Sequence, residues 1–131
     1  MDGASVHRLR TQLLKWYDAS RRDLPWRRTT DPYAIWVSEI MLQQTRVAAV
    51  IERYQQFLQR FPTVTSLARA SEQEVLALWS GLGYYRRARM LHKAAQVVAS
   101  ELDGSLPVDS VGLRKLPGIG AYTAAAIASI A

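Results

Sequence analysis

The 131-residue chain is 49% hydrophobic and carries 17 Lys+Arg against 11 Asp+Glu, a net charge of +6 at pH 7. That excludes a disordered tail and a multidomain array, and no apolar run approaches the ~20 residues of a membrane span. There is no cysteine, so a disulfide framework and a thiolate metal site are excluded within these residues. Taken in chain order, residues 6–20 have helical periodicity, with Leu9, Leu13, Trp16 and Tyr17 along one stripe. Residues 21–30 read as a basic connector in which Pro25 breaks any helix. Asp31-Pro32 is a start signal, Asp at the N-cap and Pro at the first position, for a helix over 33–45. A second helix covers 47–61 and stops at Pro62, and a short one follows over 64–69. Ser71 and Glu74 have capping-box spacing ahead of a helix over 72–79. Gly81-Leu82-Gly83 reads as a turn, and 84–102 as a long helix closed by Asp103-Gly104. Asp109 caps a short helix to Lys115, residues 116–120 form a tight hairpin, and the chain is helical again from Ala121. No segment alternates with the two-residue period of a half-buried strand, so an all-α fold is expected. The closing AYTAAAIASIA has no stop signal, which predicts a chain truncated inside its last helix.

Two segments carry chemistry. Leu116-Pro117-Gly118-Ile119-Gly120 joins two helices. Its glycines allow a tight left-handed path and remove side chains that would hold a phosphate away. Amides at the start of the following helix then make an anion site. An ordinary helix–helix turn has the same local form. Most of the basic residues are Arg, whose planar fork matches phosphate, so the charge balance favours the nucleic-acid reading.

The second segment is Tyr33-Ala34-Ile35-Trp36-Val37-Ser38-Glu39-Ile40-Met41-Leu42-Gln43-Gln44-Thr45, where Glu39 is the one charged side chain. On a helix its neighbours are Ile35, Trp36, Leu42 and Gln43, three of them apolar. Desolvation there raises the pKa of a carboxyl group and keeps it protonated, the state a general acid needs. A Glu that satisfies a buried backbone or Arg group has the same pattern, and both readings stand on the residues alone.

Leu-Pro-Gly-Ile-Gly-x-x-Thr-Ala, residues 116–124, resembles the helix-hairpin-helix signature of base-excision DNA glycosylases. Trp-Val-Ser-Glu-Ile-Met-Leu-Gln-Gln-Thr, residues 36–45, resembles the catalytic segment of MutY-type adenine DNA glycosylases. The likeness runs from about residue 13 to 131 and takes in Leu24-Pro25-Trp26-Arg27, Gly81-Leu82-Gly83-Tyr84-Tyr85, Arg89 and Leu91-His92. It implies a six-helix-barrel-type all-α domain over 23–131 with a helix-hairpin-helix at about 109–131. It also implies an N-terminal helix over 1–22 that packs on a cluster domain. The activity implied is monofunctional base-excision repair: adenine mispaired with 8-oxoguanine or guanine is flipped out and its N-glycosidic bond hydrolysed. The implied partner is double-stranded DNA with a mismatched adenine, in a bacterial-type cytoplasm, with no membrane and no small-molecule substrate.

By the same resemblance Glu39 protonates the leaving adenine. Gln44 and Tyr84, assisted by Gln43, fill the gap in the duplex, with Tyr85 a further DNA contact. Leu116, Gly118, Ile119, Gly120 and Thr123 hold the DNA backbone, and Leu24, Trp26 and Arg27 line the adenine pocket. Core packing competes for Trp26, Tyr84 and Tyr85, and a solvated basic face for Arg21, Arg22, Arg27 and Arg28. Related glycosylases with lyase activity carry a Lys just before the hairpin Thr, whose amine attacks the sugar. Tyr122 stands there instead, which implies hydrolysis, with Tyr122 near the reacting sugar.

The family's second catalytic Asp and the four cysteines of its 4Fe-4S cluster fall downstream of these residues. No cofactor is therefore expected here, and activity of this chain alone is expected to be absent or nearly so. Loss of one electrostatic stabiliser typically costs ~10²–10³-fold in rate. The stripe over 6–20, without the cluster domain, is expected to self-associate. The competing readings are a bifunctional endonuclease III-type glycosylase/lyase, which Tyr122 opposes, and a non-enzymatic helix-hairpin-helix DNA-binding module, which Glu39 opposes. A helical scaffold that binds no DNA is the third.

Overall fold

The computed structural model describes residues 24–27 and 29–130. The helix expected over 6–20, its proposed self-association stripe, and Arg21, Arg22 and Arg28 lie outside the described residues. Within them the regular structure is all helical: a 3-10 turn at Pro25–Arg27, then α1 (Pro32–Leu42), α2 (Val47–Arg60), α3 (Val64–Arg69), α4 (Glu72–Leu78), α5 (Arg86–Glu101), α6 (Ser110–Arg114) and α7 (Ala121–Ile130). None is long and apolar enough to cross a membrane.

Local capping explains most helix starts. The Asp31 side chain accepts from Tyr33 N at 3.1 Å, with Pro32 at the first position of α1. Thr63 and Ser66 form a reciprocal box at α3. Asp109 Oδ1 accepts from Gly112 N at 2.7 Å at α6. The box expected at α4 is only half made. Ser71 Oγ accepts from Glu74 N at 3.2 Å, but the Glu74 carboxylate pairs with Arg60 at 2.5 Å rather than with the Ser71 amide. Two ends also depart from expectation: α1 stops at Leu42 rather than 45, and α5 starts at Arg86 rather than 84.

α1 is the central element. It buries Tyr33 through Ser38, Ile40 and Met41, and it packs on α2, α5 and α7. A helix that is apolar on every side has to be enclosed. The buried Ser38 meets its own requirement by donating to Ile35 O at 2.7 Å. α2 is instead amphipathic, with Val50, Tyr54 and Phe57 inward. Phe57 meets Phe61 and Trp79 edge-on at 5.2 and 6.1 Å, which adds directional contact to burial. The buried Tyr33 hydroxyl donates to Phe61 O at 2.7 Å, tying the start of α1 to the end of α2. α5 lies against α3 and α4, and the buried His92 donates through Nε2 to Ala70 O at 2.9 Å. α6 and α7 pair across the hairpin, and α7 lays Ala124 and Ile127 into the core. The C-terminus of α1, the turn before α5 and the hairpin before α7 are thereby gathered at one end of the fold.

Candidate nucleic-acid interface

The exit of α1 has no Gly and no Pro, yet the helix stops. Gln43 is extended and Gln44 is left-handed, at φ 58. The last carbonyls of a helix need outside donors, and here Arg87 of α5 provides them. Its Nη1 donates to Ile40 O at 2.7 Å and Met41 O at 3.1 Å, and also to Gln43 O. A guanidinium at that position also complements the negative end of the helix dipole. Burial lowers the Arg87 pKa from its usual value, partly opposed by Tyr84.

The turn before α5 is built by Gly81 at φ 91 and Gly83 at φ 72 around the buried Leu82. The enclosed Trp79 donates through Nε1 to Gly83 O at 3.1 Å. Tyr84 follows, also left-handed at φ 50, and the residue is 63% exposed. This residue is what delays the start of α5.

In the hairpin only one of the two glycines takes the left-handed path their spacing allows. Gly118 does so, at φ 78, and a Cβ there would lie 2.9 Å from Met90 Cβ. Gly120 is not among the residues of positive φ, and a Cβ there would meet nothing within 4 Å. Its missing side chain serves neither turn nor core; it clears the outer face. Leu116 and Ile119 are buried, so their outward groups are backbone only. The first bond of α7 is Ala124 N to Gly120 O at 3.0 Å, leaving the amides of residues 121–123 without intrahelical acceptors. Thr123 is buried, its Oγ1 accepting from Gln43 Nε2 at 3.3 Å, which links the α1 exit to α7.

These three segments enclose a cavity of about 350 Å³. Trp36, Ile40, Met90 and Leu91 give it an apolar floor, while Gln43, Gln44, Tyr84, Arg86, Arg87, Pro117 and Gly118 complete the wall. The structure thus brings together Gln43, Gln44, Tyr84 and Gly118 from the expected site. Glu39, Tyr85 and Tyr122 do not line it. Glu39 is only partly buried, less than its apolar neighbours suggest. Tyr85 is exposed at the N-cap of α5, and Tyr122 is 79% exposed at the start of α7. Leu24 and Trp26 are buried away from the cavity. The Trp26 ring meets Tyr54 edge-on at 5.4 Å, and Arg27 is exposed. Burial, then the charge of Asp31, pushes the Tyr54 hydroxyl up to about 12.

Sequence reasoning did not single out Arg86 and Met90 in the cavity wall, nor Arg87 and Trp79 as the supports behind Tyr84. A signal existed for Arg87: a cation in the first turn of a helix opposes that helix's dipole, so a compensating partner is called for. A 4Fe-4S cluster does not fit these residues, because the sequence has no cysteine. Among the described residues no three His, Cys, Asp or Glu side chains converge on a metal position.

The chain is 51% identical over 139 residues to the adenine DNA glycosylase of Rattus norvegicus, covering 99% of this chain and 27% of that protein. It is 51% identical over 121 residues to the adenine DNA glycosylase of Mycolicibacterium smegmatis, covering 92% of this chain and 41% of that protein. It therefore spans well under half the length of either relative. Among solved structures, a thermostable thymine-DNA glycosylase superposes with a TM-score of 0.80 at 30% identity, over 99% of this chain and 61% of that one. Residues 37–128, which run from within α1 through the hairpin into α7, match the HhH-GPD superfamily of base excision DNA repair proteins, and the chain belongs to that family.

Proposed function

We propose that this chain is the helical catalytic part of an adenine DNA glycosylase that acts on adenine opposite 8-oxoguanine or guanine in duplex DNA. The observation that carries the proposal is the pair Gln44 and Tyr84. They come from distant segments, line one cavity, and both hold left-handed backbone that non-glycine residues rarely adopt. Such strain costs about 1–2 kcal/mol per residue and tends to collect where side-chain direction serves function. An amide that can bond base edges beside a phenol that can stack suits the gap left by a flipped base. The likeness to adenine DNA glycosylases supports adenine as that base.

In this reading the amides at the start of α7, reached past Gly120, hold phosphate without reading sequence. Leu24, Trp26 and Arg27 form the adenine pocket, and Tyr85 adds a DNA contact. Glu39 gives its proton to the adenine ring, the N-glycosidic bonding pair leaves with the base, and water adds to the sugar. Tyr122 carries no amine, so no Schiff base forms. The protein works where the chromosome lies, in a bacterial-type cytoplasm.

The test pairs binding with excision. The chain should bind a duplex with adenine opposite 8-oxoguanine more tightly than a fully paired one. Gln44→Ala and Tyr84→Ala should each reduce that preference about tenfold. Excision by this chain alone should be absent or nearly so, whereas in a full-length protein that carries it strand cleavage at the adenine should appear only after alkali and vanish in Glu39→Gln. Equal affinity for both duplexes would overturn the proposal. Cleavage without alkali, with an adduct trapped by borohydride, would replace hydrolysis by lyase chemistry.

A further inference from the structure

We infer that Arg87 is a positioning residue that locks Gln44 and Tyr84 into a single rigid wedge; its consequence for DNA rests on the glycosylase reading above. The acceptors of one guanidinium bracket Gln44 and lead into Tyr84. Nη1 takes Gln43 O, just before Gln44, and Nη2 takes Thr45 Oγ1 at 2.8 Å, just after it. Nη2 also takes Leu82 O at 3.4 Å and Gly83 O at 3.2 Å, the carbonyls that lead into Tyr84. The cation lies 5.6 Å from the centre of the Tyr84 ring and 5.4 Å from that of Trp79, within range of a cation–π attraction.

A phosphate-facing arginine would point outward, as its neighbours do. Arg86 is exposed, and Arg89 pairs with Glu72 on the surface at 2.9 Å. Arg87 turns inward and leaves Nε buried with no acceptor. That placement sets a cation in the first turn of α5, where the helix dipole opposes it. The compensation lies at the α1 exit and the glycine turn, the two segments that carry the strained residues. A planar fork can serve both segments at once, whereas the three donors of a lysine ammonium cannot reproduce its geometry. Gln43-Gln44-Thr45 contains no glycine, and its one local hydrogen bond across Gln44, from Thr45 Oγ1 to Gln43 O, is long at 3.3 Å. If the fork is lost, Gln44 and Tyr84 relax together.

The test uses Arg87→Lys and Arg87→Met in this chain. NMR couplings that report the sign of φ are measured at residues 44 and 84. In parallel, fluorescence of 2-aminopurine beside the mismatched adenine reports base unstacking, and affinity for a fully paired duplex reports general DNA contact. In Arg87→Lys the helix content and paired-duplex affinity should stay within about twofold of wild type. Both residues should lose positive φ, and the 2-aminopurine signal should fall at least fivefold. Positive φ retained at either residue in a folded variant would overturn the inference. So would unfolding of both variants, because Arg87 would then serve the whole domain rather than the wedge. If wild type itself leaves 2-aminopurine quenched, the glycosylase reading fails, and the couplings still decide the role of Arg87.

Discussion

Gly118 and Gly120 stand two residues apart and answer to different demands. Gly118 needs its left-handed φ of 78 and its contact with Met90. Gly118→Ala should therefore cost about 1–3 kcal/mol, seen as a lower urea midpoint. Gly120 has open space around it. Gly120→Ala should leave the midpoint within about 0.5 kcal/mol of wild type and weaken duplex binding, because the new methyl stands where a phosphate would approach. A large loss of stability in Gly120→Ala would show that this position serves the fold after all. The glycine pattern was legible in the sequence. Which glycine served the fold and which the outer face was not, since that depends on Met90 from another helix.

At the scale of the element, α1 is bounded by unlike devices. Its start is local, and Asp31→Ala should cost about 1 kcal/mol in thermal or chemical denaturation. Its end is tertiary, set by a guanidinium 47 residues away from Ile40 in the chain. The α1–α2 pairing also carries a pH dependence. Tyr54 is pushed up to about 12 by burial and then by Asp31, and Tyr33 is pushed upward by the same two causes. The folded state keeps both phenols protonated, while the unfolded chain ionises them from about pH 10. Above that pH the unfolded state binds fewer protons, so stability is full below pH 10 and falls as pH rises toward 12. Tyr54→Phe should flatten part of that slope in urea titrations across this window; an unchanged slope would rule out Tyr54 as a source.

Across the whole molecule, charge and shape act together. The net charge of +6 and the exposed Arg86 beside the cavity predict duplex affinity that falls linearly with salt on a double-logarithmic plot. Arg86→Ala should reduce the slope by about one, whereas Arg87→Lys should leave it unchanged because that side chain faces inward. Equal slopes for Arg86→Ala and wild type would remove Arg86 from the phosphate contacts. The cavity itself exists only because three segments far apart in sequence converge on the end of α1.

The sequence by itself determined the all-helical class, most helix starts, the glycine turns and the family likeness. Each of these depends on interactions within a few residues or on an ordered string of motifs. Tertiary structure alone decided where α1 stops, which way Arg87 points, and why Gln44 and Tyr84 share one cavity. It also decided that Glu39 is only partly buried, because neighbours along a helix do not reveal which side of it the rest of the chain will cover. These outcomes follow from donors, acceptors and packing surfaces that meet only after distant segments have docked.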